Sequence, residues 1–333
     1  MAGVSIDDIL QAELWTSTDF LQAPELDNIV NSGLLATSRE LSDVVNSVSA
    51  GSRFELPFVE DTDYSEPDYM DDSDNGVTIN SASWKQQLAV LTMISKSYGY
   101  ANIVDMIAQE KDPAGALRNI IGNFWGRDLT RRVVAILAGI SAKAGDGLTL
   151  DVADDSSDGA DVLLDPAVII DGVSKLGDMQ DKFNFIFLHS KVYADLKKQN
   201  IIQTMQPSET GAKPIELYGN LRVIVNDLLP VEQGTNKLKY TTIVAQTGTF
   251  AYADKNLSSA NGMPPLEAYR DPTKGRGAGK TTLIARRGFA IHPIGWTWNK
   301  AGFNPTLADL GNKNNWTKEF KAKDQRFVKI VTN

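Results

Sequence analysis

Apolar residues recur every three or four positions between Asp112 and Gly145, a spacing that predicts one long helix with a single apolar side. Asp112 and Pro113 suit its first turn, because a carboxylate accepts free backbone N–H groups there and proline lacks only an N–H that would be unpaired. Lys143 and Gly145 suit its end. At about 1.5 Å per residue the rod would be on the order of 45 Å long. Internal glycines each weaken such a helix by about 1 kcal/mol relative to alanine, so we expect packing to hold it and the rest of the chain to lie along it.

Before this helix, alternation and turn residues predict a long β-hairpin. Residues 53–59 alternate like a strand, Asn75-Gly76 favours a tight turn, and 77–80 predicts the returning strand. Residues 1–50 carry apolar side chains in short clusters, and only 24–35 favours a short helix. Neither segment is able to bury these side chains by itself. We therefore expect an arm that lies on the body of its own chain or on that of a neighbour, and a hairpin that also needs external support.

After the long helix, strands and helices alternate over about 120 residues, as in an α/β unit. The pattern predicts helices at 165–176 and 191–200 and strands at 183–188, 215–218, 221–225, 240–245 and 249–252. Further strands are predicted at 266–270, 281–287, 288–293, 296–298 and 328–332, with a short helix at 305–310. Upstream of the long helix, 84–94 favours a strand and 101–109 a short helix.

The composition is that of a globular protein, with 333 residues, 42% hydrophobic and 23% charged. The lack of cysteine excludes disulfides, thiolate zinc sites and cysteine nucleophiles. Only two histidines, His189 and His292, are available for acid–base or metal chemistry. The net charge of −9 argues against a general nucleic-acid binder. Without a secretory leader or an apolar run of about 18 residues, we expect a soluble, non-exported protein without membrane contact.

Charge is segregated along the chain. Nine acidic residues and no Lys or Arg lie between Glu55 and Asp74, and the balance turns basic from Lys274 onward. The two stretches are either solvated faces or complementary surfaces that meet between subunits. Under the second interpretation, and with two aromatic residues of the arm, the candidate inter-subunit contacts are Trp15, Phe20, Glu60, Asp61, Asp63, Glu66, Asp68, Asp71, Asp72, Lys274, Arg276, Lys280, Arg286 and Arg287.

Three motifs hint at chemistry. Residues 275–282 resemble a phosphate-binding loop, but only three residues separate the first glycine from the Gly-Lys pair where four are needed, and a strand is expected next. Residues 154–165 have calcium-loop spacing but end in Asp where a bidentate Glu is usual. His189-Ser190 lacks the glycines of a nucleophile turn, and Ser190 suits a helix cap. We therefore predict a basic loop, solvated turns and a cap, with no catalytic, cofactor or metal site.

The order of these elements resembles a tailed-bacteriophage major capsid protein with the Hong Kong 97 fold. Local sequence agrees at Asp112-Pro113, Phe124-Trp125, 189–193, 218–227 and 291–295. The resemblance implies an α+β fold with a spine helix at 112–145. It divides the chain into an N-terminal arm (1–50), an extended β-hairpin loop (51–84), a peripheral domain (85–150 and 271–333) and an α/β axial domain (151–270).

The resemblance also implies a function. Such a protein is not an enzyme; it self-assembles through pentamers and hexamers into an icosahedral phage head that encloses double-stranded DNA without sequence-specific contact. Expected partners are other copies, a separate scaffolding protein, a portal and in some heads a decoration protein, with assembly in the host cytoplasm and a final place in the virion capsid. A covalent crosslink is not predicted, because its Lys, Asn and acid cannot be placed. The alternatives are an encapsulin-like compartment, a tail or decoration protein, or a nucleotide-dependent enzyme using Lys280.

Overall fold

The computed structural model describes residues 33–37, 39–47, 53–60, 66, 69–70, 83–102, 113–145, 147–177, 182–199, 202–205, 215–257, 262–302 and 304–333. The helices are α1 (Arg39–Ser47), α2 (Pro113–Ala144), α3 (Pro166–Ser174), α4 (Ser190–Lys198) and α5 (Leu307–Gly311). The strands are β1 (Leu35–Thr37), β2 (Arg53–Glu60), β3 (Ser83–Ala101), β4 (Thr149–Asp151), β5 (Phe183–Leu188), β6 (Gln203–Met205), β7 (Ile215–Tyr218), β8 (Leu221–Val225), β9 (Val231–Gln233), β10 (Leu238–Gln246), β11 (Phe250–Lys255), β12 (Leu266–Asp271), β13 (Lys280–Pro293), β14 (Trp296–Trp298), β15 (Trp316–Lys318) and β16 (Phe327–Thr332).

The predicted long helix is confirmed as α2, which runs for 32 residues. Its second half is the buried half, with Val133, Leu137 and Ile140 fully enclosed. Gly139 is required there, because a Cβ atom would overlap the Leu310 carbonyl oxygen and lie 2.9 Å from Trp316 Nε1. The same indole N–H donates to that carbonyl at 2.8 Å. One glycine that weakens the isolated helix thus permits its closest packing contact.

The first sheet has six strands, five of them in the order β1-β11-β13-β3-β2, so that the long strand β3 lies between β13 and β2. Strand β12 also pairs with β13. Residues 83–90 of β3 pair antiparallel with β2, and residues 91–101 pair antiparallel with β13. The predicted hairpin is confirmed in its first strand. Its returning strand begins at Ser83, and the predicted return at 77–80 lies outside the described residues.

Two other predictions fail in this sheet. The strands predicted at 281–287 and 288–293 are one continuous strand, β13, because Gly288 pairs directly with Lys255 on β11 and does not break the ladder. The strand predicted to end at residue 94 continues to Ala101, and the helix predicted from about residue 101 starts at Asn102. Residues 103–109 lie outside the described part of the chain.

The end of the predicted arm folds back onto its own chain. Residues 1–32 lie outside the described residues, and with them most of the helix predicted at 24–35. Leu35, the last residue of that prediction, begins strand β1, which runs parallel to β11. Helix α1, which the sequence reasoning missed, places Leu41 and Val45 in a buried cluster with Phe54 of β2. Burial of these side chains explains why residues 33–47 lie on the body of the same chain.

The second sheet has eight strands in the order β4-β16-β10-β5-β8-β7-β6, with β9 beside β10. The predicted alternation of strands and helices is present, with α3 and α4 at the predicted places. Strand β16 lies between β4 and β10, so residues 327–332 of the predicted peripheral range join this sheet. Strands β11 and β12 of the predicted axial range join the six-stranded sheet. The domain division stays a prediction, and strand pairing crosses its boundaries.

One hydrophobic core unites both sheets with helix α2. It combines Phe187 and Ile330 of the eight-stranded sheet with Phe289 of the six-stranded sheet and with the buried side of the helix. Trp298 and Trp316 meet edge to face within it at 4.9 Å between ring centroids. Trp296, Trp298 and Trp316 are therefore core side chains.

A buried histidine joins strand β3 to strand β13. His292 Nε2 lies 3.1 Å from Gln87 Oε1, and the Gly295 N–H donates to the same oxygen at 3.1 Å. Burial lowers the pKa of His292 from 6.5 to about 4. The ring is therefore neutral near pH 7, where it has a structural role.

The two glycines of α2 give a matched pair of variants. Gly139→Ala should destabilise the protein by roughly 1–3 kcal/mol, because the added methyl group overlaps a backbone carbonyl. Gly122→Ala should stabilise it by up to about 1 kcal/mol, because nothing lies within 4 Å of that position. Urea unfolding of the unassembled, purified protein measures both. Equal effects of the two substitutions would contradict the close contact at Gly139.

His292 should make the protein sensitive to acid. Between about pH 6.5 and about pH 4 the unfolded chain binds a proton that the folded chain does not, so stability falls by up to about 3 kcal/mol as the pH is lowered through this window. Denaturant unfolding across the window should show this fall in unfolding free energy with decreasing pH. In His292→Gln the slope of unfolding free energy against pH should decrease by the amount that corresponds to one bound proton. An unchanged slope in that variant would show that His292 does not titrate as inferred.

Candidate assembly surfaces

The His189-Ser190 pair builds a helix start. His189 is the N-cap of α4, and its Nδ1 accepts the Lys191 N–H at 3.2 Å. The predicted cap by Ser190 is therefore wrong: Ser190 is the first helical residue, and its N–H donates to Asp227 Oδ1 at 3.0 Å. The side chain and backbone of Ser190 hold the pKa of Asp227 below its usual value. The Ser190 hydroxyl is thus bonded to a carboxylate rather than to the imidazole that would have to activate it.

The Asp-rich connector uses its carboxylates to hold turns. Asp155 accepts the backbone N–H groups of residues 235–237 at 2.7–3.1 Å, and these bonds lower its pKa to about 2. Asp165 caps helix α3 by accepting the Val168 N–H at 2.8 Å. In the described ranges, no group of three His, Asp or Glu side chains is arranged to hold a metal ion. The calcium-like spacing therefore corresponds to structural turns.

The loop that resembles a phosphate-binding motif connects two antiparallel strands. A short 3-10 turn, Gly275–Gly277, follows β12, and strand β13 starts at Lys280. Positive φ angles at Gly275, Gly277 and Gly279, together with 55° at Arg276, tighten the turn. The strand predicted after the motif is confirmed, and the helix N-terminus that would face a nucleotide phosphate is not there.

Few of the predicted acidic contacts can be located. The structure does not describe Asp61, Asp63, Asp68, Asp71 and Asp72, nor the side chain of Glu60. The two aromatic candidates of the arm, Trp15 and Phe20, also lie outside the described residues. Glu66 is exposed. Beside it, Tyr69 is 79% exposed and Met70 is completely exposed. The part of the hairpin that the structure describes beyond Glu60 therefore presents both charged and apolar side chains to the outside of the subunit.

The predicted basic contacts fall into two groups. Lys274, Arg276 and Lys280 are exposed, and none of them has a carboxylate within ion-pair distance among the described residues. Arg286 and Arg287 do have partners: Arg286 Nη2 lies 2.8 Å from Glu267 Oε2, and Arg287 Nε lies 3.3 Å from Asp254 Oδ1. The cross-strand neighbours of these two arginines thus give them ion pairs inside the chain.

Sequence reasoning missed Arg270, which belongs with the first group. It is exposed at the end of β12, pairs with Thr281 across the ladder, and has no carboxylate partner in the described part of the chain. The signal was present, since Arg270 directly precedes the turn that carries the other cations. We call Arg270, Lys274, Arg276 and Lys280 the basic end.

The acidic hairpin and the basic end lie at opposite ends of strand β3. At one end Ser83 pairs with Glu60, where the hairpin leaves the sheet, and at the other end Ala101 pairs with Lys280. Eighteen steps of about 3.3 Å separate the two ends, which is about 60 Å along the strand. The described root of the acidic hairpin therefore lies far from the basic end of the same chain.

Apolar side chains are also exposed outside the hairpin. Leu266 and Tyr269 of β12 are 43% and 59% exposed beside the basic end. A groove of about 400 Å³ lies between α3 and the β7–β8 turn, lined by Ile169, Ile170, Val173, Phe183, Tyr218 and Leu221. Exposed apolar surface of this kind marks contact sites for other proteins. Across the described residues, no helix is long and apolar enough to span a membrane.

Comparison with known proteins identifies relatives of this chain. A family model described as Gp13-like, Major capsid protein 13-like, matches residues 104–325, about two thirds of the chain. The major capsid protein of Bacillus phage SPP1 is 28% identical over 341 residues, covering 99% of this chain and 98% of that protein.

Solved structures show the same fold at low sequence identity. The capsid of Ralstonia phage GP4 matches with a TM-score of 0.58 and 11% identity, covering 92% of this chain and 90% of that one. The capsid of cyanophage Pam1 matches with a TM-score of 0.54 and 9% identity, covering 90% and 88%. The holo-SrpI encapsulin of Synechococcus elongatus PCC 7942 matches with a TM-score of 0.53 and 10% identity, covering 98% and 95%.

These structural matches confirm the α+β, Hong Kong 97-like fold, since at 9–11% identity they bear on the fold alone. The family match covers the long helix, the eight-stranded sheet except β16, and the basic end. The chain belongs to the Gp13-like family of major capsid proteins, the structural shell proteins of tailed phages.

Proposed function

We propose that this capsid protein forms pentamers and hexamers that close into an icosahedral head around double-stranded DNA. A separate scaffolding protein, a portal and in some heads a decoration protein would join it, with assembly in the host cytoplasm. The observation that carries the proposal is the exposed hairpin, where Tyr69 and Met70 are uncovered in the single chain. Side chains of this size gain about 1.5–3 kcal/mol each when they are buried. Neighbouring copies supply the cover that one subunit lacks.

The domain division gives each part a role in this assembly. The arm (1–50) up to residue 32 and the hairpin loop (51–84) beyond Glu60 reach neighbouring copies, whereas Leu35–Thr37 and Arg39–Ser47 of the arm pack on their own chain. The candidate contacts of the hairpin, with Lys274, Arg276 and Lys280 of the basic stretch, lie at those interfaces. Copies of the axial domain (151–270) meet around the five- and six-fold axes. The peripheral domain (85–150 and 271–333) carries helix α2. Closed symmetry then determines which surfaces meet.

The charge of the chain suits a container for DNA. A net charge of −9 disfavours general binding of phosphate groups, which suits DNA that is enclosed without tight or sequence-specific binding. The proposal also assigns the chain no catalysis. The residues that could suggest catalysis, namely Ser190, His189 and the 275–282 loop, build a helix start and a turn.

An encapsulin-like compartment is the second candidate, because the SrpI encapsulin shares the fold over 98% of this chain. The family match favours the phage head. Electron microscopy of purified particles, combined with analysis of their contents, separates the two. Closed icosahedral shells that hold DNA support the proposal, and shells filled with an enzyme support the compartment. A failure to form shells even in the presence of the scaffolding protein contradicts both.

The exposed hairpin residues give a direct test of the proposed covering contact. Tyr69→Ser combined with Met70→Ser should lower the yield of assembled shells by at least about tenfold, since about 1.4 kcal/mol per contact already corresponds to that factor. Light scattering and negative-stain images measure the yield. The urea midpoint of the unassembled variant should equal that of the original protein, because both side chains are exposed in the subunit. Normal assembly of the double variant would remove the hairpin from the proposed interface.

The nucleotide-dependent alternative has its own test. Titration of ATP with Mg²⁺ into the purified protein, followed by calorimetry, should show no saturable heat. The 275–282 loop is followed by a strand, whereas a phosphate-binding loop is followed by a helix. Saturable binding that disappears in Lys280→Ala would contradict the non-enzymatic proposal.

A further inference from the structure

We propose that the outer edge of strand β12 pairs antiparallel with the same edge of a second copy, about a two-fold axis at Ala268. The surface is the whole of β12, Leu266–Asp271. The pairing joins the six-stranded sheets of two subunits into one continuous sheet. This inference rests on the proposed function, because it names one contact between copies in the shell.

Strand β12 has a strand partner on one side only. Its six residues pair with residues 280–285 of β13 in a regular antiparallel ladder without a bulge. Among the described residues, no strand pairs with the other side of β12. Such an edge presents a row of unpaired backbone N–H and C=O groups, which readily pair with a strand of another chain.

The backbone hydrogen bonds around β13 show which groups of β12 face outward. The Arg286 N–H donates to the Pro265 carbonyl oxygen at 2.8 Å, so residue 265 faces β13. The Asn102 N–H donates to the Gly279 carbonyl oxygen at 3.1 Å, so the odd-numbered residues of β13 face β3 and the even-numbered ones face β12. Because the direction alternates along an antiparallel strand, every second residue of β12 counted from 265 faces β13. The outward backbone groups therefore belong to Leu266, Ala268 and Arg270.

A two-fold axis at Ala268 uses all of these outward groups. Ala268 then faces the partner's Ala268, Leu266 faces the partner's Arg270, and Arg270 faces the partner's Leu266. Each of these pairs exchanges N–H and C=O groups in both directions, which gives about six backbone hydrogen bonds between the copies. The same patch serves on both subunits, as a two-fold contact requires.

Neighbouring registers are less favourable. A shift by one residue places each outward group opposite a residue whose backbone groups already face β13. With the axis at Tyr269, Glu267 faces the partner's Asp271, and like charges directly opposite each other destabilise a strand pair. With the axis at Glu267, Arg270 faces the partner's Pro264, which has no N–H to donate. The register centred on Ala268 is therefore favoured.

The side chains along the edge also suit a contact between copies. Leu266 and Tyr269 are 43% and 59% exposed in the single subunit. In the proposed register Leu266 lies against the aliphatic part of the partner's Arg270, and Tyr269 lies opposite the partner's Glu267. Glu267 Oε2 pairs with Arg286 Nη2 of its own chain at 2.8 Å, so its charge is balanced before the copies meet. The pairing thus covers two exposed apolar side chains without opposing like charges.

Strand β12 lacks the features that usually protect an exposed edge, since no lysine, proline or bulge interrupts it. Prolines lie just outside it, at 264, 265 and 272, and limit the pairing to about six residues. One pair of such short strands is weak by itself. The contact therefore acts where many copies meet in a shell, because the neighbouring contacts raise its effective concentration.

Cysteine crosslinking tests the contact, because the chain has no cysteine of its own. In Ala268→Cys the introduced side chains of the two copies have a Cα separation of about 5.5 Å, within the range of a disulfide. The matched control, Arg270→Cys, lies on the same exposed edge, but the two-fold axis keeps its copies about 14 Å apart, too far for a disulfide. With diamide as the oxidant, non-reducing gels of assembled shells should show at least about tenfold more dimer for Ala268→Cys.

A double variant tests the register. In Leu266→Cys combined with Arg270→Cys, each introduced side chain faces the other kind in the partner copy. The double variant should therefore crosslink as strongly as Ala268→Cys, whereas each single substitution should not. Positions 266 and 270 of one chain are about 14 Å apart, so this disulfide forms only between copies. Equal crosslinking of Ala268→Cys and Arg270→Cys, or no crosslinking of the double variant, would overturn the inference.

A proline substitution tests whether the pairing contributes to assembly. Ala268→Pro removes an outward N–H that has no partner in the described part of its own chain, whereas Ala268→Thr keeps that N–H. The proline variant should lower the yield of shells by about tenfold or more, and the threonine variant should stay within about threefold of the original. Sedimentation and negative-stain images measure the yield, and the urea midpoint of each unassembled variant reports its folding. Equal yields from two folded variants would contradict the pairing.

The two proposals fail in distinguishable ways. If the original protein forms no closed shells, the proposed function fails, and the contrast between Ala268→Cys and Arg270→Cys in concentrated, unassembled protein still decides the inference. If shells form but Ala268→Cys crosslinks no more than its control, the proposed function stands and the pairing of β12 with its copy is overturned.

Discussion

The structure depends on burial of one side of a single helix against both sheets at once. Val133, Leu137 and Ile140 of α2 are completely enclosed in the core that joins Phe187 and Ile330 on one side to Phe289 on the other. Buried side chains of both sheets thus share one core with this side of the helix. Close approach at Gly139 brings the Trp316 region against the helix, so the last third of the chain is anchored to the same helix.

Strand β3 connects that core to the hairpin at the surface of the subunit. One half of it belongs to the hairpin and the other half to the sheet, so the direction of the hairpin is determined by the same backbone that pairs with β13. The buried hydrogen bond between His292 and Gln87 links β13 to the half of β3 that belongs to the hairpin. A projecting segment that must meet a neighbour at a defined angle needs such a rigid root, because a loose connection would allow many orientations and increase the entropy lost on contact.

Features encoded by neighbouring residues could be predicted from the sequence, and features decided by distant partners could not. The bounds of α2 follow from its own cap residues, and the failed phosphate motif follows from counting. Gly288 suggested a break, yet its partner Lys255 makes it a cross-strand contact. Ser190 suits a cap by residue type, yet His189 is the cap and the Ser190 N–H donates to Asp227, 37 residues away. Likewise, segregation of charge was visible, but the ion pairs of Arg286 and Arg287 depend on neighbouring strands.

The central position of β16 has a consequence for the timing of folding. Residues 327–332 lie between β4 and β10, and residues 280–290 pair with residues of β3 that come almost two hundred positions earlier in the chain. A chain still emerging from the ribosome therefore lacks strands in both sheets until these late segments are synthesised. Folding is also slow, because long loops must close before such distant strands can pair. A subunit in which both sheets are complete thus exists only after translation has passed residue 332.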